Sequence, residues 1–484
     1  MNNLPFFRPA LVCFIVSLLS LLSLLSLLSL LGCTADTDPQ SAQDELLRMN
    51  EIQVLGTHNS YHIQPRDSIL EALAIFTDQE TADSLEYTAL PLKEQFDRGV
   101  RQLELDIFAD PEGGLYAIRR GLSVVGDEPV SGIPELGEPG LKVLHTQDLD
   151  FETHCLTFQA CLTSLKEWSD ANPDHVPITV MVEAKEEAID NALAETLDFT
   201  IPLEFGPEDL AALDDEILAV FPAAQLITPD DVRGERDTLE EAVLEVGWLT
   251  LAEARGRVMF VFLNRSAARD HYIDGHPSLR GRVMFTNSVR GEPEAGWFNV
   301  NNALNNGEEI RELVAAGYLV RTRADEPTQH ARDGDTSLQE AAFASGGQFV
   351  STDYVVPNPD FGTDYSAAVP GGYVRTVEGI SVAMNWAIVL RAAAPRSSSA
   401  VSRNIAITRA SFSSSLNVLS ANKRKRRVRS LRRARRVCFS FHRSNSSARN
   451  SAVPSRNQFF STRYGSSPRR RIIMSVMSKR TVAP

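Results

Sequence analysis

A single-domain α/β fold of the (β/α)8 barrel type is what this sequence predicts, and three observations carry it. Eight short runs rich in Val, Ile, Leu and Phe recur along one stretch of chain, each suited to a strand buried on both faces. Stretches of helical length separate several of them, and that alternation is the pattern of βα units. Polar and titratable residues close the early runs, at the carboxyl ends where a parallel barrel presents its functional mouth.

The predicted strands are, in order, Ile52–His58, Val100–Phe108, Leu141–Gln147, Pro177–Lys185, Arg257–Asn264, Arg282–Ser288, Tyr318–Asp325 and Gln348–Tyr354. Helices are expected over Phe158–Asn172, Glu208–Phe221, Thr238–Val246, Glu308–Ala316 and Ser337–Ser345. The distance from Lys185 to Arg257 is too long for one βα unit, so an insertion or irregular region belongs there. An open doubly wound sheet is the alternative, although no glycine-rich phosphate loop follows the first run. The segment Asp333–Glu340 (DGDTSLQE) spaces carboxylates two apart but lacks a full calcium-loop pattern. It reads as a loop entering a helix capped by Thr336 or Ser337.

Charge is distributed unevenly over the 484 residues. The whole chain carries 48 basic and 63 acidic residues, a net −15. From Arg391 onward there are 23 Lys or Arg and no Asp or Glu, which leaves the preceding body at −38. Clusters such as Lys423–Arg436 could bind nucleic acid or anionic lipid, but the expected reading of 380–484 is a disordered basic tail or out-of-frame sequence. No nucleic acid partner is expected, and the protein is expected to be a monomer.

The amino terminus reads as an export signal. Arg8 precedes an apolar run from Ala10 to Leu31, which ends at Leu30-Leu31-Gly32-Cys33 and gives way at once to polar sequence. That ending resembles the bacterial lipobox, whose cysteine is lipid-modified after cleavage. Thr34 follows, so the Asp associated with inner-membrane retention is absent. Residues 1–32 are therefore expected to be a signal peptide and 33–49 a tether behind a lipidated Cys33, anchoring the body in the outer membrane or at the cell surface. An uncleaved transmembrane anchor is the alternative, and both place the body, 50–379, outside the cytoplasm. In that compartment Cys155 and Cys161 are expected to pair, with Cys155 in the loop before a helix.

His58 and Asn59 close the first run, Glu104 and Asp106 lie near the end of the second, His145 in the third and Glu183 in the fourth. Carboxylate and amide oxygens suit a hard divalent cation, and two imidazoles suit proton transfer near neutral pH. Glu104 and Asp106 are two apart on one strand, so they share a face and repel unless a cation lies between them. Lys185 shares a face with Glu183 and can neutralise a phosphate or pair with a carboxylate. The combination reads as metal-assisted cleavage of a phosphodiester. His62 and His154 lie in loops beyond their strands, as solvent-exposed or supporting residues.

The ordered set LGTHNSYH (Leu55–His62), LPLKEQFDRGVRQLELDIF (Leu90–Phe108), VMVEAK (Val180–Lys185), YLVRTRAD (Tyr318–Asp325) and FVSTDY (Phe349–Tyr354) resembles the calcium-dependent phosphoinositide-specific phospholipases C, in their secreted bacterial branch. The resemblance covers roughly Asn50 to Tyr365. It implies a bound Ca2+ on Asn59, Glu104, Asp106 and Glu183, with His58 and His145 as base and acid in either assignment. It implies a membrane phospholipid substrate of the phosphatidylinositol type, attacked on phosphorus by its own ring 2-hydroxyl. At least one of Arg321 and Arg323, which share a face, is expected near the phosphate or ring hydroxyls, with Asp353 on a ring hydroxyl and Tyr354 as an aromatic platform for the ring. The alternatives are a glycerophosphodiester phosphodiesterase, whose barrels typically open with His-Arg rather than His58-Asn59, and a catalytically silent envelope lipoprotein.

Overall fold

The structure, a computed structural model, describes residues 44–370 and the backbone of three further strands between Tyr373 and Leu390. The leader, Cys33 and the basic segment beyond Leu390 lie outside the described residues. Among the described residues no helix is long and apolar enough to cross a membrane.

Ten strands are numbered here as β1 (Ile52–Thr57), β2 (Val100–Phe108), β3 (Lys142–Val143), β4 (Ile178–Ala184), β5 (Leu226–Ile227), β6 (Val258–Phe262), β7 (Phe285–Thr286), β8 (Trp297–Asn299), β9 (Leu319–Arg323) and β10 (Phe349–Thr352). Eight of them pair in parallel around a ring. β1 pairs with β2, β2 with β4, β4 with β6 and β6 with β7. β8 pairs with β9, β9 with β10 and β10 with β1. A parallel bridge from Asn287, just after β7, to Trp297 of β8 completes the circuit. The α/β class and the curled parallel sheet of the predicted barrel are thus present.

Two strands differ from the sequence expectation. The predicted third strand survives only as β3, and it is not a wall strand: it pairs antiparallel with Ile107 and Phe108. β1 is in register with β2 only at Val100 and Gln102, so the outer half of β2 has a free edge on that side, and β3 fills it. The place in the ring is taken by β8, three residues too short to read as a strand from sequence. β5 lies against the first half of β6, below β7, inside the long insertion between β4 and β6.

Helices Phe158–Ala171, Pro207–Val220, Leu239–Glu245, Ala303–Ala316 and Ser337–Ser345 cover the barrel close to the predicted limits. Local chemistry sets their ends. The Thr157 hydroxyl accepts from the Ala160 amide, Pro207 occupies a first-turn position, and Gly317 at φ 113° stops the helix before β9. Ser337–Ser345 starts at Thr336 as expected, although the capping acceptor is Asp335 Oδ1, 2.9 Å from the Ser337 amide. Cys155 and Cys161 form the expected disulfide, with Cys155 in the loop and Cys161 on the helix.

The body begins earlier than the predicted boundary at residue 50. Asp44 pairs with Arg255, and Met49 is buried in the main core, so residues 44–49 pack on the barrel rather than serving as tether. At the other end, the backbone of Tyr373–Val377 pairs antiparallel with Ile380–Trp386, and Val389–Leu390 pairs with β1. The alternation Ile380, Val382, Met384, Trp386 is a strand pattern that the charge boundary obscured.

Candidate active site

β2 supplies the centre of the mouth. All nine of its residues are buried, with Leu103, Leu105 and Ile107 in the main core. Gln102, Glu104 and Asp106 occupy the opposite face. That face is the barrel interior, because Glu104 Oε2 meets Arg321 of β9, with β1 and β10 between them in the ring, at 2.7 Å. Arg321 is held by Asn299 and Asn301 as well, at 3.1 and 2.7 Å. Its guanidinium is therefore buried among Glu104, Asn299 and Asn301. Burial, opposed by Arg321, pushes the Glu104 carboxyl up.

Asp106 and Glu183 are register partners across β2 and β4. Asp106 is 0% exposed, and neither of its oxygens receives a hydrogen bond of normal geometry. Its compensation is the Lys185 ammonium at 3.4 Å, which also lies 3.7 Å from Glu183. Burial and the Asp106 charge raise Glu183 to about 7. Burial opposes the charge on Lys185, but Asp106 and Glu183 together raise its affinity for the proton. Oxygens of Glu104, Asp106 and Glu183 lie within 4.8 Å of one another. Three carboxylates of like charge, one of them buried with no hydrogen bond of normal geometry, fit a hard divalent cation. Asn59 follows β1 in a left-handed conformation, φ 41°. Its amide nitrogen donates to the Tyr87 hydroxyl at 2.8 Å, which leaves its oxygen as the atom for a cation.

The two expected histidines are half-buried, with side chains 21% and 23% exposed, and each is braced by a carboxylate. His58 Nδ1 lies 2.9 Å from Asp353 Oδ1, while Asp353 Oδ2 takes Arg323 at 2.6 Å. Asp353 thus holds His58 through one oxygen and Arg323 through the other. His145 Nδ1 lies 2.7 Å from Asp150 Oδ2. Burial and the positive charges of Arg323 and Arg321 hold His58 well below its ordinary range. At His145 burial pulls down, but the hydrogen bond and charge of Asp150 outweigh it and raise the value. The two rings are therefore driven toward opposite protonation states.

Gly56 sets the aim of β1. A Cβ there would lie 1.9 Å from Gln102 Oε1, and the register with β2 shifts between Leu55 and Gly56. Gln102 in turn donates to the Thr57 carbonyl at 3.2 Å, one residue before His58.

Other positions depart from the sequence reading. Tyr354 is 2% exposed and packed with Tyr87, Tyr365 and Ala331, so its ring is an inner wall and not an open platform. Of the two alternatives for His62 the supporting one holds: it is fully buried and shares Asp150 with His145. His154 is exposed as expected, with Nε2 on the Ala89 carbonyl at 2.7 Å. Asp150 was absent from the sequence reading; a carboxylate five residues after a strand-end histidine was its one signal.

A parallel barrel whose titratable groups converge at the carboxyl ends of its strands defines the class first: this is a barrel enzyme. The family follows from sequence. Residues 47–378 match the family described as "Phosphoinositide phospholipase C, Ca2+-dependent", and the chain belongs to it. It is accordingly a phospholipase C-type phosphoric diester hydrolase with calcium as its cofactor. No curated protein matches the chain. Among solved structures, the calcium-dependent phosphoinositol-specific phospholipase C of a Pseudomonas species is 18% identical, over 65% of this chain and 92% of that one, with a TM-score of 0.41. The Ca2+-dependent phosphatidylinositol-specific enzyme of Streptomyces antibioticus is also 18% identical, over 63% and 95%, with a TM-score of 0.40. A phosphodiesterase of Oleispira antarctica, bound to sn-glycerol-3-phosphate, is 12% identical over 62% and 92%, with a TM-score of 0.28.

Proposed function

We propose that the protein cleaves phosphatidylinositol-type lipids to diacylglycerol and a cyclic inositol phosphate. The observation that carries this reading is the pair of half-exposed histidines, each braced at Nδ1 by a carboxylate and pushed to opposite protonation states. His58, held neutral, accepts the proton of the ring 2-hydroxyl at Nε2. The hydroxyl oxygen forms the new bond to phosphorus and the bond from phosphorus to the glycerol oxygen breaks. His145, held protonated, delivers its Nε2 proton to that oxygen, so diacylglycerol leaves neutral.

Asn59, Glu104, Asp106 and Glu183 are the residues that would hold calcium. Glu104 offers one oxygen, since Arg321 takes the other. When bound, calcium supplies Lewis acidity toward the 2-hydroxyl and phosphate oxygens. Lys185, with its side chain 22% exposed, is placed to neutralise phosphate charge while pairing with Asp106. Arg323 acts through Asp353 on His58. Export and lipidation at Cys33 complete the reading: the chain would work at the cell envelope, on lipid presented from a membrane.

The test is a substrate pair. Phosphatidylinositol should be cleaved in calcium, and its 2-deoxy analogue should not, because the nucleophile is missing. Cleavage of the deoxy analogue or of glycerophosphocholine at a comparable rate would indicate the glycerophosphodiesterase reaction instead.

A further inference from the structure

Asp150 is buried at 0% exposure, and both its oxygens face imidazoles. Oδ2 lies 2.7 Å from His145 Nδ1, and both oxygens lie 2.9 Å from His62 Nε2. His62 is itself fixed on its far side. Its Nδ1 meets the Tyr87 carbonyl at 3.0 Å, its ring stacks on Tyr87 at 4.1 Å, and it contacts the His145 ring edge-on at 5.7 Å. Backbone bonds pin Asp150 as well: its amide donates to the Thr146 carbonyl at 2.9 Å and its carbonyl accepts from Thr146 at 2.8 Å. Of the three side chains, only His145 reaches solvent.

We propose that Asp150 is the positioning residue for His145, and that His62, clamped by Tyr87, is the brace that fixes Asp150; this rests on His145 being the general acid. The chemistry follows from donor geometry. His145 sits just past β3, a strand of only two residues, so its backbone alone does little to fix the ring. Donation of Nδ1–H to Asp150 fixes the ring's orientation and leaves Nε2 as the atom presented to the mouth. Asp150 stays ionised: burial pushes it up, but His62 and His145 hold it at about 2. Each proton-bearing contact is thereby fixed before substrate arrives, which is the condition for efficient proton delivery.

The test uses the full chain with Asp150→Asn, His62→Gln, His145→Ala and the Asp150→Asn/His145→Ala double variant. Each is assayed with calcium on phosphatidylinositol and on a nitrophenyl ester of inositol phosphate, whose leaving group needs no proton. Asp150→Asn should lower kcat on the lipid by roughly 10- to 100-fold with KM unchanged, within the range of general-acid effects. Its loss on the nitrophenyl ester should be at most a few-fold. The double variant should be no slower than His145→Ala, because coupled residues are not additive. His62→Gln should show the same split between substrates, smaller in size, and it carries the test if Asp150→Asn does not fold. Equal losses on both substrates, or additive losses in the double variant, would overturn the positioning role. Full lipid turnover by His145→Ala would instead remove the acid assignment itself, whatever Asp150 does. His145→Ala inactive on the lipid beside fully active Asp150→Asn and His62→Gln would sink the positioning role alone.

Discussion

Asp106→Asn should abolish calcium-dependent turnover while leaving the calcium-free protein as stable as before or more so. Asp106 is fully buried with neither oxygen in a hydrogen bond of normal geometry, two residues from Glu104 and in register with Glu183. In the absence of metal its charge is a liability: burial first, and the Asp106 charge second, raise Glu183 from 4.5 to about 7. That rise corresponds to about 3 kcal/mol for a fully shielded group. The Glu183 side chain is 33% exposed, so solvent screening leaves about 1–2 kcal/mol, with burial the larger cause and Asp106 the second. A carboxyl whose folded-state value is raised binds more protons folded than unfolded. Calcium-free stability of the unmodified protein should therefore fall as pH rises from 4.5 to 7, and the fall should be shallower in Asp106→Asn. At pH 8 in chelator the variant should match or exceed the parent by about 1 kcal/mol, since Lys185 retains Glu183 as a partner. Calcium at a hundredfold excess over its Kd should stabilise the parent by about 2.7 kcal/mol, and the variant far less. Thermal melts in calcium and in chelator, run across pH beside turnover, test every step. A variant destabilised in chelator with its calcium-induced shift intact would refute the reasoning.

Three further outcomes are expected. His58→Ala and His145→Ala should each lose about two to four orders of magnitude on phosphatidylinositol, and only His145→Ala should recover on a nitrophenyl leaving group; recovery of His58→Ala instead would reverse the two roles. Gly56→Ala must displace Gln102 from a 1.9 Å approach and should cost about 1–3 kcal/mol in urea unfolding, with an unchanged midpoint counting against the packing argument. Cys33→Ser should leave the precursor unprocessed or release a soluble form, seen by fractionation and mass; unchanged size and unchanged membrane retention would indicate a transmembrane anchor.

The barrel was legible because its long strands are buried on both faces and rich in Val, Ile, Leu and Phe, and β2, β4 and β6 fall within the runs read from sequence. The errors came from short elements. β8 has three residues and no periodicity to detect, whereas the run Leu141–Gln147 looked like a wall strand and is a strand only at Lys142–Val143. At the site, residue type and strand-end position located the acids and both histidines, since those depend on parity and spacing alone. What side chains do to each other was not legible. Nothing in the spacing marks the bonds of Asp353 to His58 and Arg323, nor the burial of the Tyr354 ring. Asp150 acts through a hairpin that brings it back onto His145, and no spacing rule marks such a return.

Phosphorus NMR of the full chain turning over phosphatidylinositol tests the central claim most directly. Intramolecular attack by the 2-hydroxyl, with calcium held at the β2 and β4 carboxylates, predicts a five-membered cyclic phosphate signal that forms first in calcium and not at all in chelator. Direct appearance of the acyclic phosphate with no cyclic precursor, or undiminished turnover in chelator, would contradict it.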